Sequence, residues 1–164
     1  MDIREFSIDP DWEEVENLRN EAENFFRDTG LPEEIVESLT MVTSELIENG
    51  IKYGSFSDRG ERVRLIISLE PENITIEVIH PVDEKAYPNL TKLDRTIQWI
   101  RGYQDPFEAF IERLREISRK PFEDETSGLG LARIAYEGQA ILDFFVNDQG
   151  LLNVSAMSPL EAAS

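Results

Sequence analysis

SELIENGIKYG, residues 44–54, completes a helical pattern that opens at Pro32, with Ile35, Leu39, Val42, Leu46 and Tyr53 recurring at helical spacing. Glu45 and Asn49 are four residues apart and stand one above the other on that helix. At about 100° per residue they lie beside the apolar stripe, at the rim of a core-facing groove. A carboxamide oxygen there can ligate Mg²⁺, a hard cation that prefers oxygen. A carboxylate there can orient or deprotonate a nucleophile. Lys52 follows one turn later. Spacing alone favours a plainer reading, a solvated Glu and Asn on an amphipathic helix.

Further along, Ser127-Gly128-Leu129-Gly130-Leu131 precedes the short helical stretch ARIAYEG. Two glycines let backbone approach a ligand closely, and a helix start offers free N–H groups and a positive dipole end. That suits a phosphate, but a flexible loop entering a packed helix reads the same way.

The rest of the chain fills in the frame. Residues 3–8 alternate as a strand, and Asp9-Pro10 supplies an N-cap and a first-turn proline. Trp12, Val15, Leu18, Ala22, Phe25 and Phe26 stripe a helix over 11–28 that Gly30 ends. Residues 61–69 and 74–80 form a hairpin around PEN, and 140–146 and 151–157 form another around NDQG. Residues 89–118 carry two helical patterns broken by RGYQDP. Residues 119–127 read as a polar loop. The expectation is an α+β fold: a two-layer sandwich whose mainly antiparallel mixed sheet is covered by helices on one face. No linker or repeat divides the chain, so residues 1–164 read as one domain.

The two motifs together resemble those of the gyrase, chaperone, histidine-kinase and mismatch-repair (GHKL) ATPase superfamily. SELIENGIKYG looks like its N box and SGLGLARIAYEG like its later glycine box, in the expected order with strands between. The strand–helix–helix opening resembles the anti-sigma-factor serine kinases of that superfamily. The resemblance implies ATP and Mg²⁺ as ligands. It implies that Glu45 is the catalytic or water-positioning glutamate and Asn49 the Mg²⁺ ligand, with Lys52 near the nucleotide. Gly128 and Gly130, with Ser127 and Leu129 beside them, match the segment that cradles the phosphates.

Two departures stand out. The superfamily has D-x-G-x-G after its central strand, the Asp binding the adenine amino group. Here ITIEVI runs into His80-Pro81-Val82-Asp83. His80 falls at the Asp position and Val82 at the first glycine. Val82 crowds a base and Pro81 stiffens the turn. Asp83 substitutes only if the register slips. The lid is also altered: residues 84–127 hold helices and no glycine cluster before Ser127, and Phe107, Phe110 and Ile111 need something to cover.

Composition narrows the partners. The net charge of −18 opposes binding to nucleic acid and to anionic membranes. There is no cysteine, which excludes disulfides and thiolate sites and fits a cytoplasmic location. No apolar run is long enough to cross a membrane. By resemblance, the expected role is a regulator in a bacterial partner-switching pathway, phosphorylating Ser or Thr of a small STAS-type antagonist domain and binding a sigma-factor-like regulator. The alternative is a catalytically degenerate binding module that keeps the fold. A histidine-kinase catalytic module fits less well, because no phosphoacceptor helix precedes the fold. A homodimer is expected through the first strand and its adjoining helix face or through the 89–118 helices.

Overall fold

The computed structural model of the chain describes residues 2–56, 61–84, 87–103, 105–118 and 129–160. Its elements run β1 (Asp2–Ile8), α1 (Trp12–Asp28), α2 (Glu33–Tyr53), β2 (Val63–Leu69), β3 (Asn73–Pro81), α3 (Tyr87–Arg101), α4 (Pro106–Ser118), α5 (Leu129–Glu137), β4 (Ile141–Val146) and β5 (Leu151–Pro159). The strands make one sheet in the order β1-β2-β3-β5-β4, and each neighbouring pair is antiparallel. The α+β architecture read from the sequence is the one observed. The first strand lies at a sheet edge.

Period-two alternation decides which face the sheet buries. Val63, Leu65 and Ile67 on β2 and Ile74, Ile76, Val78 and His80 on β3 are all buried. Their neighbours Arg64, Ile66, Thr75, Glu77 and Ile79 are only partly covered. Register carries the buried rows across the sheet, through Leu65↔Val78 and Val78↔Val154. Each large apolar side chain moved out of water contributes about 1.5–3 kcal/mol. The covering elements are α2 over β2, β3 and β5, α1 beside β1, and α3 and α5 against β4.

Helix α1 starts two residues later than its Asp9-Pro10 signal suggests. The N-cap is Asp11, whose side chain accepts from the Glu13 N–H at 3.0 Å. Trp12 is therefore in the first turn and more than half exposed. The buried stripe is Val15, Leu18, Ala22 and Phe26. Gly30 takes the left-handed φ of 82° that ends the helix.

Two threonines of α2 are buried with their hydroxyls paired, whereas the buried Ser44 Oγ on the same helix has no partner among the described residues. Thr40 donates to the Val36 carbonyl at 2.7 Å and Thr43 to the Leu39 carbonyl at 2.8 Å. Helix α5 packs against α2 in the opposite direction. Ser38 donates to the carbonyl of Glu137 at 3.0 Å, and a Cβ on Gly138 would come 2.6 Å from Val42. At the other end Gly130 meets Glu45. The aromatic face of α4 turns toward α5 here, with Phe110 half-buried and Phe107 still exposed. Phe107 and Phe110 lie 5.1 and 5.5 Å, centroid to centroid, from Tyr136 of α5.

Gly138 is where this seating is tightest, since an added Cβ would also lie 2.6 Å from the Ile134 carbonyl oxygen. Backbone cannot move aside as a side-chain tip can. Gly138→Ala is expected to lower stability by about 1–3 kcal/mol, the cost of overpacking, measured from urea unfolding midpoints.

Candidate functional site

Helix α2 sets out the site residues along one edge. Glu45 is half-buried beside the buried pair Leu46 and Ile47, and Asn49 is half-buried one turn further on. Lys52 is exposed in the last turn, three residues after Asn49. The antiparallel seating of α5 brings its first turn to this stretch. A Cβ on Gly130 would strike the Glu45 carboxylate, so the bare backbone of Gly130 lies directly against it. The two motifs, 85 residues apart by subtraction of Glu45 from Gly130, thus meet in space. Ser127 and Gly128 lie outside the described residues, as does the side chain of Leu129, whose backbone opens α5.

The charge at Glu45 is set by opposing neighbours. Burial holds its carboxyl above the usual carboxylate range, and Glu48 and Glu137 push the same way. Arg133 opposes them, with its Nη1 3.7 Å from Glu45 Oε1. The Arg133 Nε also donates to Glu137 at 2.7 Å. Arg133 went unrecognised in the sequence. Its spacing of four to Glu137 on α5 was legible, but its reach to α2 depends on how the helices pack.

His80 occupies the end of β3, 2% exposed and facing α2. Gly50 makes that approach possible: a Cβ there would sit 3.0 Å from Val78 Cγ1 and 3.2 Å from His80 Cδ2. The Phe56 ring lies 6.3 Å from the imidazole. Nδ1 is 3.1 Å from the Pro81 carbonyl oxygen. A carbonyl only accepts, so Nδ1 carries the proton and donates, leaving Nε2 as the acceptor of a neutral ring. Burial holds the imidazole below its ordinary titration range, against the smaller effect of the Pro81 hydrogen bond.

The turn after β3 is tied on both sides. The Ser55 N–H donates to the Pro81 carbonyl at 2.9 Å, and the Val82 N–H donates to the Gly150 carbonyl at 3.0 Å. Val82 packs against the core, and β3 keeps its pairing with β5 through His80↔Leu152 and Pro81↔Leu151. Asp83 stands exposed two residues beyond the strand end.

Among the described residues no group of three or more His, Cys, Asp or Glu could hold a metal ion. A single carboxamide such as Asn49 suits Mg²⁺, which keeps most of its ligands as water and phosphate oxygens. An open cleft of about 670 Å³ lies at the opposite sheet edge, lined by Arg4, Phe6, Glu21, Phe25 and others. None of the site residues named above lines it.

Two outcomes follow from this geometry. Gly130→Ala should displace the Glu45 carboxylate while leaving the fold in place, because a flexible side-chain tip can yield. The check is a thermal midpoint within a few degrees of wild type, about 1 kcal/mol or less, alongside an altered Glu45 carboxyl resonance. For His80 the folded-state pKa is depressed, so on acidification the unfolded chain takes up its proton first. Stability is then lost as pH falls below the ordinary histidine value of about 6.5. Glu45 acts in the opposite sense, since its raised carboxyl binds a proton more readily in the folded state. Replacing His80→Gln should flatten the fall in urea midpoint between about pH 7 and pH 5.

No curated protein matches the chain in sequence. Among solved structures, a chain of the SiaB–SiaC complex from Pseudomonas aeruginosa superposes with a TM-score of 0.71 at 17% identity. The match covers 94% of this chain and 88% of that one, and at such identity it speaks for the fold. The family model of the histidine kinase-like ATPase domain matches residues 8–135, which is 128 of the 164 residues. That span runs from the end of β1 into α5 and takes in the first motif and most of the second, so the chain belongs to the histidine kinase-like ATPase family of the GHKL superfamily.

Proposed function

We propose that the chain is a nucleotide-dependent regulator of the partner-switching kind, resembling the anti-sigma-factor kinases, which binds Mg²⁺–ATP weakly and phosphorylates Ser or Thr of a small antagonist protein. The observation that carries this reading is the meeting of Glu45 with the bare backbone of Gly130. A base-competent carboxylate and the first turn of a helix share one edge there, as a phosphoryl-transfer site requires. The similar fold comes from a SiaB–SiaC complex, which supports a protein partner here as well. The strongly acidic chain favours a partner with a basic surface.

In this reading Glu45 accepts the proton of the attacking hydroxyl and holds it in a half-buried position where burial has already raised its affinity for protons. Asn49 would hold Mg²⁺ through its carboxamide oxygen, and the metal would supply charge neutralisation for the phosphates. The α5 N-terminus, with Gly130 in its first turn, would face the phosphates with unpaired N–H groups. Lys52 would reach the same edge as a cation. His80 would accept a hydrogen bond from the adenine amino group through Nε2, in place of the usual Asp. The α3–α4 region would stand in for the lid. A homodimer through the β1 edge remains part of this proposal.

A specific observation favours the alternative, a binding module without catalysis. His80 is buried and Val82 packs against the core, and by resemblance these are the positions at which the superfamily leaves room for a base. A neutral acceptor in place of a charged one forgoes about 1–1.5 kcal/mol, or about one decade in affinity.

Calorimetry with Mg²⁺–ATP separates the two readings. The expected dissociation constant is in the high-micromolar range, about −5 to −6 kcal/mol. Glu45→Gln should keep that binding and lower phosphoryl transfer to a small Ser/Thr acceptor protein by about 10²–10⁴-fold. No heat at millimolar ATP, with the acceptor protein still bound, would establish the binding-module reading instead.

A further inference from the structure

The carboxylate of Glu45 meets a charged partner across the α2–α5 seam. Arg133 Nη1 lies 3.7 Å from Oε1, while the other oxygen abuts Gly130. The guanidinium is itself braced, since its Nε donates to Glu137 Oε2 at 2.7 Å within α5. An i,i+4 partner reduces the rotamer freedom that otherwise makes such a pair weak. We propose that Arg133 is the positioning residue of the candidate base, bridging Glu45 on α2 to Glu137 on α5 and holding the Glu45 carboxylate at the glycine end of α5. The proposal deepens the kinase reading and rests on it for its consequence on rate.

The reason lies in what surrounds Glu45. Burial and the carboxylates of Glu48, on its own helix, and Glu137, on α5, all favour a protonated and uncharged side chain. On the sheet side, His80 faces α2 at Gly50, and its ring, held neutral, adds no compensating charge. Arg133 is the cation among these groups. A protonated Glu45 could not accept a proton from an incoming hydroxyl. It would also lose its attraction to the guanidinium and be free to swing from the glycine turn. Arg133 therefore keeps the group ionised and in place together. It needs no contact with a substrate to do so, and a half-exposed guanidinium stays accessible to solvent while acting. The competing reading is an ordinary surface ion pair with no effect on the base.

The test uses the full chain carrying ¹³C-labelled glutamate, with the Glu45 carboxyl signal assigned by its loss in Glu45→Gln. Arg133→Leu should move the Glu45 titration midpoint upward, Arg133→Lys should restore it in part, and Glu137→Gln should change it by loosening the guanidinium. In Mg²⁺–ATP phosphoryl transfer, Arg133→Leu should lower the rate about three-fold on the acid side of the profile, the size of a half-exposed ion pair, with the rates converging on the alkaline side. A Glu45 midpoint unmoved in Arg133→Leu and Arg133→Lys would overturn the inference whatever the activity. A moved midpoint in a wild-type protein that transfers no phosphoryl group would uphold the hold of Arg133 on Glu45. It would sink the kinase reading instead.

Discussion

Close packing of α2 against both the sheet and α5 is the constraint from which the remainder of the molecule is laid out. Its buried stripe, Val36, Leu39, Val42, Leu46 and Ile47, lies over the central strands, and α5 runs back along its side. Three glycines mark the closest approaches. Gly50 lets Val78 and His80 reach the helix, Gly130 admits the Glu45 carboxylate, and Gly138 lets the end of α5 settle on Val42. A methyl group at any of them would meet a neighbour within normal contact distance, and interiors packed like crystals transmit such a displacement. The positions of Glu45 and His80 are consequences of that seam. Both side chains project from elements whose separation is fixed by apolar contacts a few ångströms away.

Electrostatics within the seam separates the two titratable groups by environment. Both are taken partly out of water, and burial favours the neutral form in each case. For the carboxyl this raises proton affinity, and for the imidazole it lowers it. Glu45 has a cation within reach, and His80 is held by a backbone carbonyl. One is thus a carboxyl with raised proton affinity. The other is a neutral ring whose tautomer is set by Pro81. This distribution places charge at the α5 end of α2 and a neutral acceptor toward its C-terminal end.

The outer surfaces carry a different emphasis. The face of the sheet away from the helices presents exposed Ile3, Ile141, Phe145 and Met157 among acidic side chains. The outermost strand β4 answers part of its open edge locally, since Asp143 accepts from the Phe144 N–H at 2.9 Å. A carboxylate on an edge strand discourages indiscriminate strand pairing. With a net charge of −18, self-association has to overcome repulsion that salt screens. No helix among the described residues is long and apolar enough to cross a membrane.

The strands, the helices and their order could be read from the chain, because period-two and period-3.6 patterns are local and each element here has an apolar face to bury. The N box and the glycine box were legible for the same reason, as short runs whose residue types carry their chemistry. The start of α1 was misplaced by two residues, because Asp9 and Asp11 both offer a capping oxygen and only the backbone path selects Asp11. Which glycine of the box touches Glu45 could not be read, nor that Arg133 and Ser38 link α2 to α5. The target of the α4 aromatics, Tyr136, was likewise hidden. These contacts join residues up to 99 positions apart, and their geometry depends on the crossing of two helices over a sheet. Local sequence sets which faces are apolar. The mutual position of those faces comes from packing all of them at once, so the partner of Glu45 was decided by tertiary structure alone.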